Sequence, residues 1–430
     1  MVEKSSITTI LIVMLAAAFL GAAGCRTVPS ASAPDDAVAA GIGETEADED
    51  LKNLMMLSEA LKLAQRSHVD EHSYRDLVYS AADLMLHSLD PHSAFLPPEP
   101  LESLVEETSG KFGGIGLSVE SVGNGVRVMA PVADSPAAKA GIKAGDTIVA
   151  VDGQSLQGVS LNDAVKSMRG EAGTEVKVTV RRPSGEEVQV PIKRDEIKVT
   201  SVKGAEQLGD DLGYVRIVQF SKSVPSDFAK ALAQFRRKKV KGLIVDLRNN
   251  PGGLLESAVG VAEQVLPQGS EIVSVRGRQS DGKPNKFTAG WCQGRDTGLP
   301  LAVLVNGASA SASEVLAGAL KDHHRAVLVG ETTYGKASVQ SVIPLKTNPD
   351  CAVRLTTAYY FTPSGHQIHG RGIEPDEKVA VDEAERQRIY RQQVARERGG
   401  GVNLSQIGDR QLERACEILR GGAQPEQGKE

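Results

Sequence analysis

The chain has 430 residues, of which 40% are apolar and 24% charged, a composition typical of a soluble globular protein with two or three domains. Its formal charge of -6 gives no reason to expect nucleic-acid binding, and with 4% aromatic residues, bases would find few stacking partners.

The first element is an apolar run from Ile7 to Ala23, preceded by Lys4. This run is short for a membrane-spanning helix and fits a secretory signal. Cys25 follows Ala-Ala-Gly, which resembles a bacterial lipobox, so residues 1–25 are predicted to be a signal peptide with Cys25 lipidated. Plain signal cleavage near Ala23 is the alternative. In both cases we expect a periplasmic location in the bacterial cell envelope. If Cys25 is lipidated, its lipid anchor is the expected membrane contact.

Residues 26–50 are rich in Ala, Ser, Asp and Glu, which predicts a disordered tether. Leucines near helical spacing then predict a small helical subdomain over 51–103. Its apolar positions suit either a homodimer contact or packing on their own core. If Cys25 is lipidated, Cys292, Cys351 and Cys416 remain, so at most one disulfide forms among them. No Cys/His spacing indicates a metal site.

Residues 104–195 are predicted to fold as short strands separated by glycine turns, with one helix over Leu161–Met168. The segments 112–119 and 135–146 resemble a PDZ domain. In such a domain the loop Gly114-Ile115-Gly116-Leu117 presents backbone N–H groups to a peptide's terminal carboxylate, and the following strand pairs with the peptide. A glycine-rich hairpin without a ligand is the alternative.

Arg169 follows the helix of this module. We consider two roles for it: a charge-assisted partner of a terminal carboxylate, or a solvated cation that favours the helix dipole.

From about residue 196 strands alternate with helices, so 196–380 is predicted to be an α/β core. The apolar segments Leu243–Leu247 and Leu301–Val305 have the pattern of buried strands. The remaining residues, 381–430, form a charged helical segment and tail.

A run of alternating Ala and Ser follows the buried strand Leu301–Val305 and leads into a helix that begins near Ser311. A serine at this position is usually an N-cap, with Glu314 completing a capping box. It is also well placed to be a nucleophile, because loops after parallel strands carry active sites. Helix N–H groups are then nearby to stabilise an oxyanion.

Lys336 lies beside Gly335, and the valines that follow alternate as in a strand, so Lys336 is predicted to lie on that strand. A lysine of ordinary pKa, roughly 10.4, is protonated at neutral pH, whereas burial lowers the pKa by as much as ~3–5 units and makes the amine a base. A surface lysine in a turn is the alternative. Gly252 and Gly253, after the strand Leu243–Leu247, offer further backbone donors to an oxyanion, or else form a plain turn.

Together these motifs resemble the carboxyl-terminal processing peptidases, or tail-specific proteases. The resemblance implies a Ser/Lys peptidase core of the ClpP/crotonase-like fold, with the PDZ domain inserted before it. By position, it implies Ser311 as nucleophile, Lys336 as general base and Gln340 as the residue that orients the lysine. It implies oxyanion donors at Gly252, Gly253 and Ala312, and no cofactor, ATP or metal.

The expected partners are proteins or peptides with accessible C-termini, with an adaptor protein or a second copy as further candidates. A catalytically inactive or partner-activated PDZ scaffold is the competing function. Histidine is the commoner base in serine hydrolases. The four candidates, His323, His324, His366 and His369, are expected to have surface or structural roles.

Overall fold

The structure is a computed structural model that describes residues 44–123, 125–132, 134–198, 200–209, 211–278, 283–292, 294–295, 298–397 and 408–421. The predicted signal peptide and Cys25 lie outside the described residues. The chain divides into two compact units: residues up to 101 together with 340–356, and residues 102–339 together with 357–430. In the described part of the chain no helix is both long and apolar enough to cross a membrane.

The N-terminal unit contains two helices and a short strand, and it receives a hairpin from later in the chain. Its elements are α1 (Glu44–Ser67), α2 (Tyr74–His87), β1 (Ala94–Leu96) and the start of α3 (Pro98–Ser109). The α1 helix begins within the segment predicted to be a disordered tether. Leu54, Leu57 and Leu63 are all at least half exposed, so they do not pack on a core of their own in this structure.

A small apolar cluster holds this unit together. Leu86 and Phe95 pack against Cys351, which lies on the returning hairpin, and β1 pairs with that hairpin over Ala352–Arg354. Within the described residues, Cys292, Cys351 and Cys416 form no disulfide.

The second unit begins with a β-rich module whose core is separate from the rest. Its elements are β2 (Lys111–Gly114), β3 (Leu117–Val122), β4 (Gly125–Pro131), α4 (Pro136–Lys139), β5 (Thr147–Val151), β6 (Gln154–Ser155), α5 (Leu161–Met168), β7 (Glu175–Arg181), β8 (Glu187–Lys193) and β9 (Asp195–Lys198). The main sheet has the order β3-β4-β5-β7-β8, with β6 paired to β5. Strand β3 therefore lies at an edge. The β2–β9 ribbon closes the two ends of the module.

The α/β core follows. Its elements are β10 (Val202–Leu208), β11 (Leu212–Ile217), α6 (Val224–Lys238), β12 (Gly242–Asp246), α7 (Leu255–Ala262), β13 (Glu271–Gly277), β14 (Asn285–Thr288), β15 (Leu301–Val305), α8 (Ala312–Asp322), β16 (Val327–Gly330), β17 (Ser338–Leu345), β18 (Asn348–Phe361), β19 (Glu377–Lys378), α9 (Glu383–Glu397) and α10 (Arg410–Arg420). Strands β17 and β18 carry the hairpin that returns to the N-terminal unit.

The central sheet has six strands in the order β10-β11-β12-β15-β16-β19, and all neighbours except β10 and β11 are parallel. The central strands β12 and β15 are fully buried and almost entirely apolar because both faces of the sheet are covered there. Side chains such as Val245 and Val303 belong to the core formed with α6, α7 and α8. The alternate ones, such as Ile244 and Leu304, pack against Leu412 and its neighbours in α10.

Candidate active site

Two loops leave the carboxyl ends of the adjacent parallel strands β12 and β15, and hydrogen bonds join them. Asn306 Oδ1 accepts from the Asn249 N–H at 3.0 Å, and Asn306 Nδ2 donates to Asn249 Oδ1 at 2.9 Å. The carbonyl of Asn250 also accepts from the Ala310 N–H at 3.0 Å. The turn Asn249–Gly253, which we call the oxyanion turn, therefore lies beside the serine run.

The three serines of the run have different roles in this arrangement. The Ser309 hydroxyl is fully buried and donates to the Leu247 carbonyl at 2.8 Å. The Ser313 hydroxyl is also fully buried and donates to the Asn250 carbonyl at 3.0 Å. Both hold the two loops together, whereas Ser311 is partly exposed to solvent. Among the three, Ser311 alone is accessible to a substrate.

The backbone of Ser311 argues against an ordinary N-cap. An N-cap residue normally has extended dihedral angles, but Ser311 has φ 55° and ψ -116°, which is strained for any residue except glycine. A strained serine between a buried strand and a helix is typical of nucleophiles in hydrolases. The backbone of Ser311 therefore has the strained geometry expected of such a nucleophile, and differs from that of a serine that only begins a helix.

The buried carboxylate of Glu314 ties this serine to the lysine segment. Its side chain is fully buried in α8, and Oε2 accepts hydrogen bonds from the backbone N–H groups of Ser311 and Lys336, each at 2.8 Å. Oε1 accepts from the Thr333 hydroxyl and the Gly335 N–H, each at 2.6 Å. Both carboxylate oxygens are thus occupied by donors that fix the backbone of Ser311 and of Lys336 relative to each other.

The glycines of the oxyanion turn differ in the use of their N–H groups. Gly252 lies against Ser311, because a methyl group placed on it would approach Ser311 Cβ to 2.8 Å. Its N–H, however, donates to Asn250 Oδ1 at 2.9 Å. Within the described residues the N–H groups of Gly253 and Ala312 have no acceptor. Of the three predicted donors, these two are the ones available to an oxyanion.

The structure places Lys336 differently from the sequence prediction in one respect. Strand β17 begins at Ser338, so Lys336 lies in an extended segment just before the strand rather than on it. The Lys336 side chain is partly buried. Gln340 lies on β17, where its side-chain amide donates to Thr356 Oγ1 at 3.4 Å. The orienting role of Gln340 stays a prediction.

Sequence reasoning assigned Glu314 only to a capping box and did not assign Asn250 at all. The spacing of Glu314 three residues after Ser311 gave a signal for the Ser311 contact, but none for its bonds to Thr333, Gly335 and Lys336. The Asn250 side chain connects the turn to strand β11: its Oδ1 accepts from the Gly252 N–H at 2.9 Å, and its Nδ2 donates to the Ile217 carbonyl at 2.8 Å.

The β-rich module presents a second candidate site along β3. The loop Gly114–Leu117 precedes this edge strand, and within the described residues the N–H groups of Ile115 and Gly116 have no acceptor. Gly116 has φ +77°, and a methyl group there would meet Ser135 Cβ at 2.4 Å. These are the features of a carboxylate-binding loop beside an open strand edge.

Arg169 stands next to this loop but is already engaged. Its guanidinium donates to Glu106 Oε2 at 2.6 Å and stacks over the Phe112 ring at 4.7 Å. Burial raises the pKa of Glu106 above its ordinary value, although the nearby Arg169 charge works against this. A peptide carboxylate that approached the loop would therefore compete with Glu106 for the same guanidinium.

The histidines have contacts of their own. The His323 ring is hydrogen-bonded to the Glu271 carbonyl at 2.6 Å, His366 Nδ1 to Ser364 Oγ at 2.8 Å, and His369 packs on the Tyr359 ring. His324 lines a surface pocket with Lys321 and Asp376. No group of three or more His, Cys, Asp or Glu side chains arranged to hold a metal ion occurs in the described part of the chain.

Comparisons with known proteins match both parts of the second unit. Residues 211–379 match peptidase family S41, and residues 127–182 match the PDZ domain. The chain is 42% identical over 330 residues to a carboxy-terminal-processing protease of Bartonella bacilliformis, covering 76% of this chain and 74% of the relative. It is also 42% identical over 314 residues to a carboxyl-terminal-processing protease of Synechocystis, covering 71% of each.

Among solved structures, a photosystem II D1 C-terminal processing protease is 33% identical. That alignment covers 76% of this chain and 92% of the other, with a TM-score of 0.45. A peptide complex of the PDZ domain of a carboxy-terminal protease from Vibrio cholerae is 28% identical and covers 21% of this chain and 99% of that one, with a TM-score of 0.20.

Proposed function

This chain belongs to peptidase family S41, among the carboxy-terminal-processing proteases, and from that premise we propose that it cleaves proteins through a Ser311/Lys336 acyl-enzyme mechanism. The observation that carries the proposal is the pair of 2.8 Å hydrogen bonds by which Glu314 holds the backbone of both residues. Ser311 is accessible and strained, as a nucleophile after a buried strand should be.

The reaction requires a neutral amine on Lys336. The amine takes the proton of the Ser311 hydroxyl while Oγ attacks the scissile carbonyl carbon. The N–H groups of Gly253 and Ala312 stabilise the resulting oxyanion. When the intermediate collapses, the ammonium returns its proton to the leaving amine and an acyl ester remains on Ser311. Water, deprotonated by the same amine, then hydrolyses the ester, while Gln340 orients the lysine.

Substrate capture is assigned to the PDZ domain. A C-terminal tail would add as a strand to the open edge of β3, with its carboxylate on the N–H groups of Ile115 and Gly116. Leu117 begins the strand that would pair with the tail, and Gly114 gives the loop its close approach. The substrate class is therefore proteins whose C-termini are exposed and extended.

The chemistry is tested by reaction with a fluorophosphonate probe and by cleavage of an unfolded protein with an apolar C-terminus. Wild-type protein should be labelled at Ser311, and Ser311→Ala should be neither labelled nor active. Lys336→Ala should lose both reactions, whereas the exposed-residue controls Ser226→Ala and Lys230→Ala should retain them. An active Lys336→Ala protein would exclude the proposed base.

The pH dependence separates lysine from histidine as the base. The labelling rate should rise with pH as an amine loses its proton, whereas a rise centred near pH 6.5 would indicate an imidazole. A wild-type protein that binds tails but is never labelled would instead be an inactive scaffold. Labelling that appears only after addition of a tail peptide would indicate activation by the peptide, and the Arg169–Glu106 pair is the observation that favours this variant.

For location, we propose export and anchoring through Cys25. A Cys25→Ala protein should lose incorporation of a lipid label and move from the membrane to the soluble fraction. Wild-type protein that takes up no lipid label would support plain signal cleavage.

A further inference from the structure

Arg248 connects the oxyanion turn to the far end of the chain. It lies between Asp246, the last residue of β12, and Asn249, the first residue of the turn. The guanidinium is almost completely buried, at 3% exposure. A buried cation of this kind persists only where its donors are satisfied.

All five N–H donors of the Arg248 guanidinium have acceptors. Nε and Nη2 donate to the two carboxylate oxygens of Asp246 at 3.0 and 2.7 Å. Nη1 and Nη2 donate to the two oxygens of Asp409 at 2.9 Å each, and Nη1 also donates to Gln411 Oε1 at 3.1 Å. Three of the five hydrogen bonds therefore come from α10 and its N-cap residue, which lie outside the residues that match family S41.

The Asp409 carboxylate both binds Arg248 and caps helix α10. It is the N-cap of α10, accepting from the Leu412 N–H at 3.1 Å, and it is 3% exposed. The Asp246 carboxylate is bound further by the Tyr214 hydroxyl at 2.7 Å and the Gln393 amide at 3.2 Å, so it cannot turn to replace Asp409. Without the Asp409 charge, one edge of the guanidinium would be buried and unpaired.

The consequence reaches the turn because Arg248 precedes it directly. The Arg248 N–H donates to Asp246 Oδ1 at 2.9 Å, which fixes the backbone at the entry of the turn. Asn249 and Asn250 follow, and their hydrogen bonds set the position of Gly252 and Gly253. If the guanidinium moved toward solvent to regain hydrogen-bond partners, it would therefore displace Gly252 and Gly253 next to Ser311.

We propose that Asp409 is a positioning residue for the oxyanion turn: through Arg248, helix α10 holds the turn in the geometry that stabilises the oxyanion. This inference rests on the proposed Ser/Lys function. It assigns to the C-terminal helix a part in the acylation step, although none of its residues lies in the serine run, the lysine segment or the oxyanion turn.

The test uses Asp409→Asn in the full chain. Asparagine is as good an N-cap as aspartate, so the variant keeps the cap and removes the charge and one acceptor oxygen. The matched control is Asp211→Asn, because Asp211 pairs with Arg420 at 3.1 Å and ties the same helix to the core at the surface, away from Arg248. Labelling by the fluorophosphonate and steady-state cleavage of fluorescein-labelled casein are measured for both.

Loss of a single oxyanion donor lowers kcat by about 10²–10³, so a displaced turn in Asp409→Asn should lower kcat and the labelling rate by about 10–100-fold. KM should stay near the wild-type value, since tail binding is unaffected, and Asp211→Asn should react like wild type. If Asp409→Asn does not fold, Gln411→Leu removes a neutral acceptor from the same guanidinium and should show a smaller fall in kcat.

Three results would overturn the inference. One is an Asp409→Asn protein labelled as fast as wild type, which leaves the Ser/Lys proposal intact. Another is an equal loss in Asp211→Asn, which would mean that α10 acts only through its general docking. The third is a change confined to KM. A wild-type protein that is never labelled would instead remove the Ser/Lys proposal, and this inference with it.

Discussion

Glu314 Oε2 accepts a 2.8 Å hydrogen bond from the backbone N–H of Lys336, and the same oxygen accepts another from the N–H of Ser311. A fully buried carboxylate thus bridges the two segments, in addition to the backbone hydrogen bond from the Tyr334 N–H to the Ser309 carbonyl at 3.0 Å. This arrangement makes the distance between the nucleophile and the proposed base depend on a third side chain.

We therefore expect Glu314→Gln to be severely impaired although its shape is unchanged. An amide has one acceptor oxygen and adds two donors, so at least two of the four backbone and hydroxyl donors lose their partner. Each buried donor left without an acceptor costs about 1–3 kcal/mol. Chemical denaturation should show that loss, and fluorophosphonate labelling should slow markedly.

The control for this prediction is Glu331→Gln, which changes a carboxylate paired with Arg386 near the surface. It should cost no more than about 1 kcal/mol and leave labelling unchanged. Wild-type labelling in Glu314→Gln would show that the carboxylate does not position the site.

Gly252→Ala should abolish activity through a clash with the nucleophile. The added methyl group would lie 2.8 Å from both Ser311 Cβ and the Ala310 carbonyl oxygen. Gly269 has a similar positive φ of 87°, but a methyl group there meets no atom. In both variants the positive φ destabilises the folded protein by about 1–2 kcal/mol. The difference between their labelling rates therefore measures the effect of the clash. Equal activity in the two proteins would contradict the proximity of Gly252 to Ser311.

Tail binding should become tighter in Glu106→Gln. A neutral amide holds the Arg169 guanidinium less strongly than the carboxylate does, so the cation becomes available to a peptide carboxylate. Because the pair is partly exposed and worth about 0.2–1 kcal/mol, the gain should be no more than about fivefold in Kd. Fluorescence anisotropy of a labelled tail peptide measures it, with Arg169→Ala expected to bind more weakly. Weaker binding by Glu106→Gln would show that Glu106 supports the site instead.

Stability should fall in acid through Asp246. Burial alone would raise the pKa of this carboxyl, but the charges of Arg248 and Arg216 and the hydrogen bonds from Arg248 and Tyr214 together outweigh burial and hold the pKa below its ordinary value of 3.8. The stabilisation is therefore complete above about pH 4 and is lost as the pH falls through the lower pKa of the folded state. Urea denaturation at a series of pH values should show this decline.

In Asp246→Asn that part of the decline should disappear. The free energy of unfolding at neutral pH should fall by about 3–5 kcal/mol, because Arg248 loses a buried partner. Exposed Asp350→Asn should behave like wild type. An Asp246→Asn protein with the wild-type acid profile would mean that other carboxyls cause the decline.

The sequence predicts an element well where the residues that set its bounds lie within or next to it. Helix α5 has the predicted bounds, and its start is fixed by Ser160, which accepts from the Asp163 N–H. Strand β15 also has the predicted bounds, and all five of its residues are buried. At Lys336, the alternation of apolar residues does not predict where the strand begins. The valines after it do form β17, but the Gly335 and Lys336 N–H groups are taken by Glu314 and so do not join a strand ladder.

Features that depend on distant partners could not be predicted. The choice of Ser311 over Ser309 and Ser313 was carried over from the family by position. Its physical basis is a tertiary fact: the Ser309 hydroxyl bonds to the Leu247 carbonyl before the oxyanion turn, and the Ser313 hydroxyl bonds to the Asn250 carbonyl within it. The Arg248–Asp409 contact joins residues 161 positions apart, with no periodicity or motif connecting them. Helix α1 begins at Glu44, so the described part of the segment predicted to be a disordered tether, residues 44–50, is helical.

Helix α10 covers one face of the central sheet, where Leu412, Ala415 and Ile418 lie on Ile244, Ala302 and Leu304. A chain in which α10 has not docked would expose these strand residues to water and leave the Arg248 guanidinium with two of its five hydrogen bonds. If Asp409 positions the turn as proposed, such a chain would hold its central strands in place and still lack a firmly held oxyanion turn. Activity would then require the docking of α10.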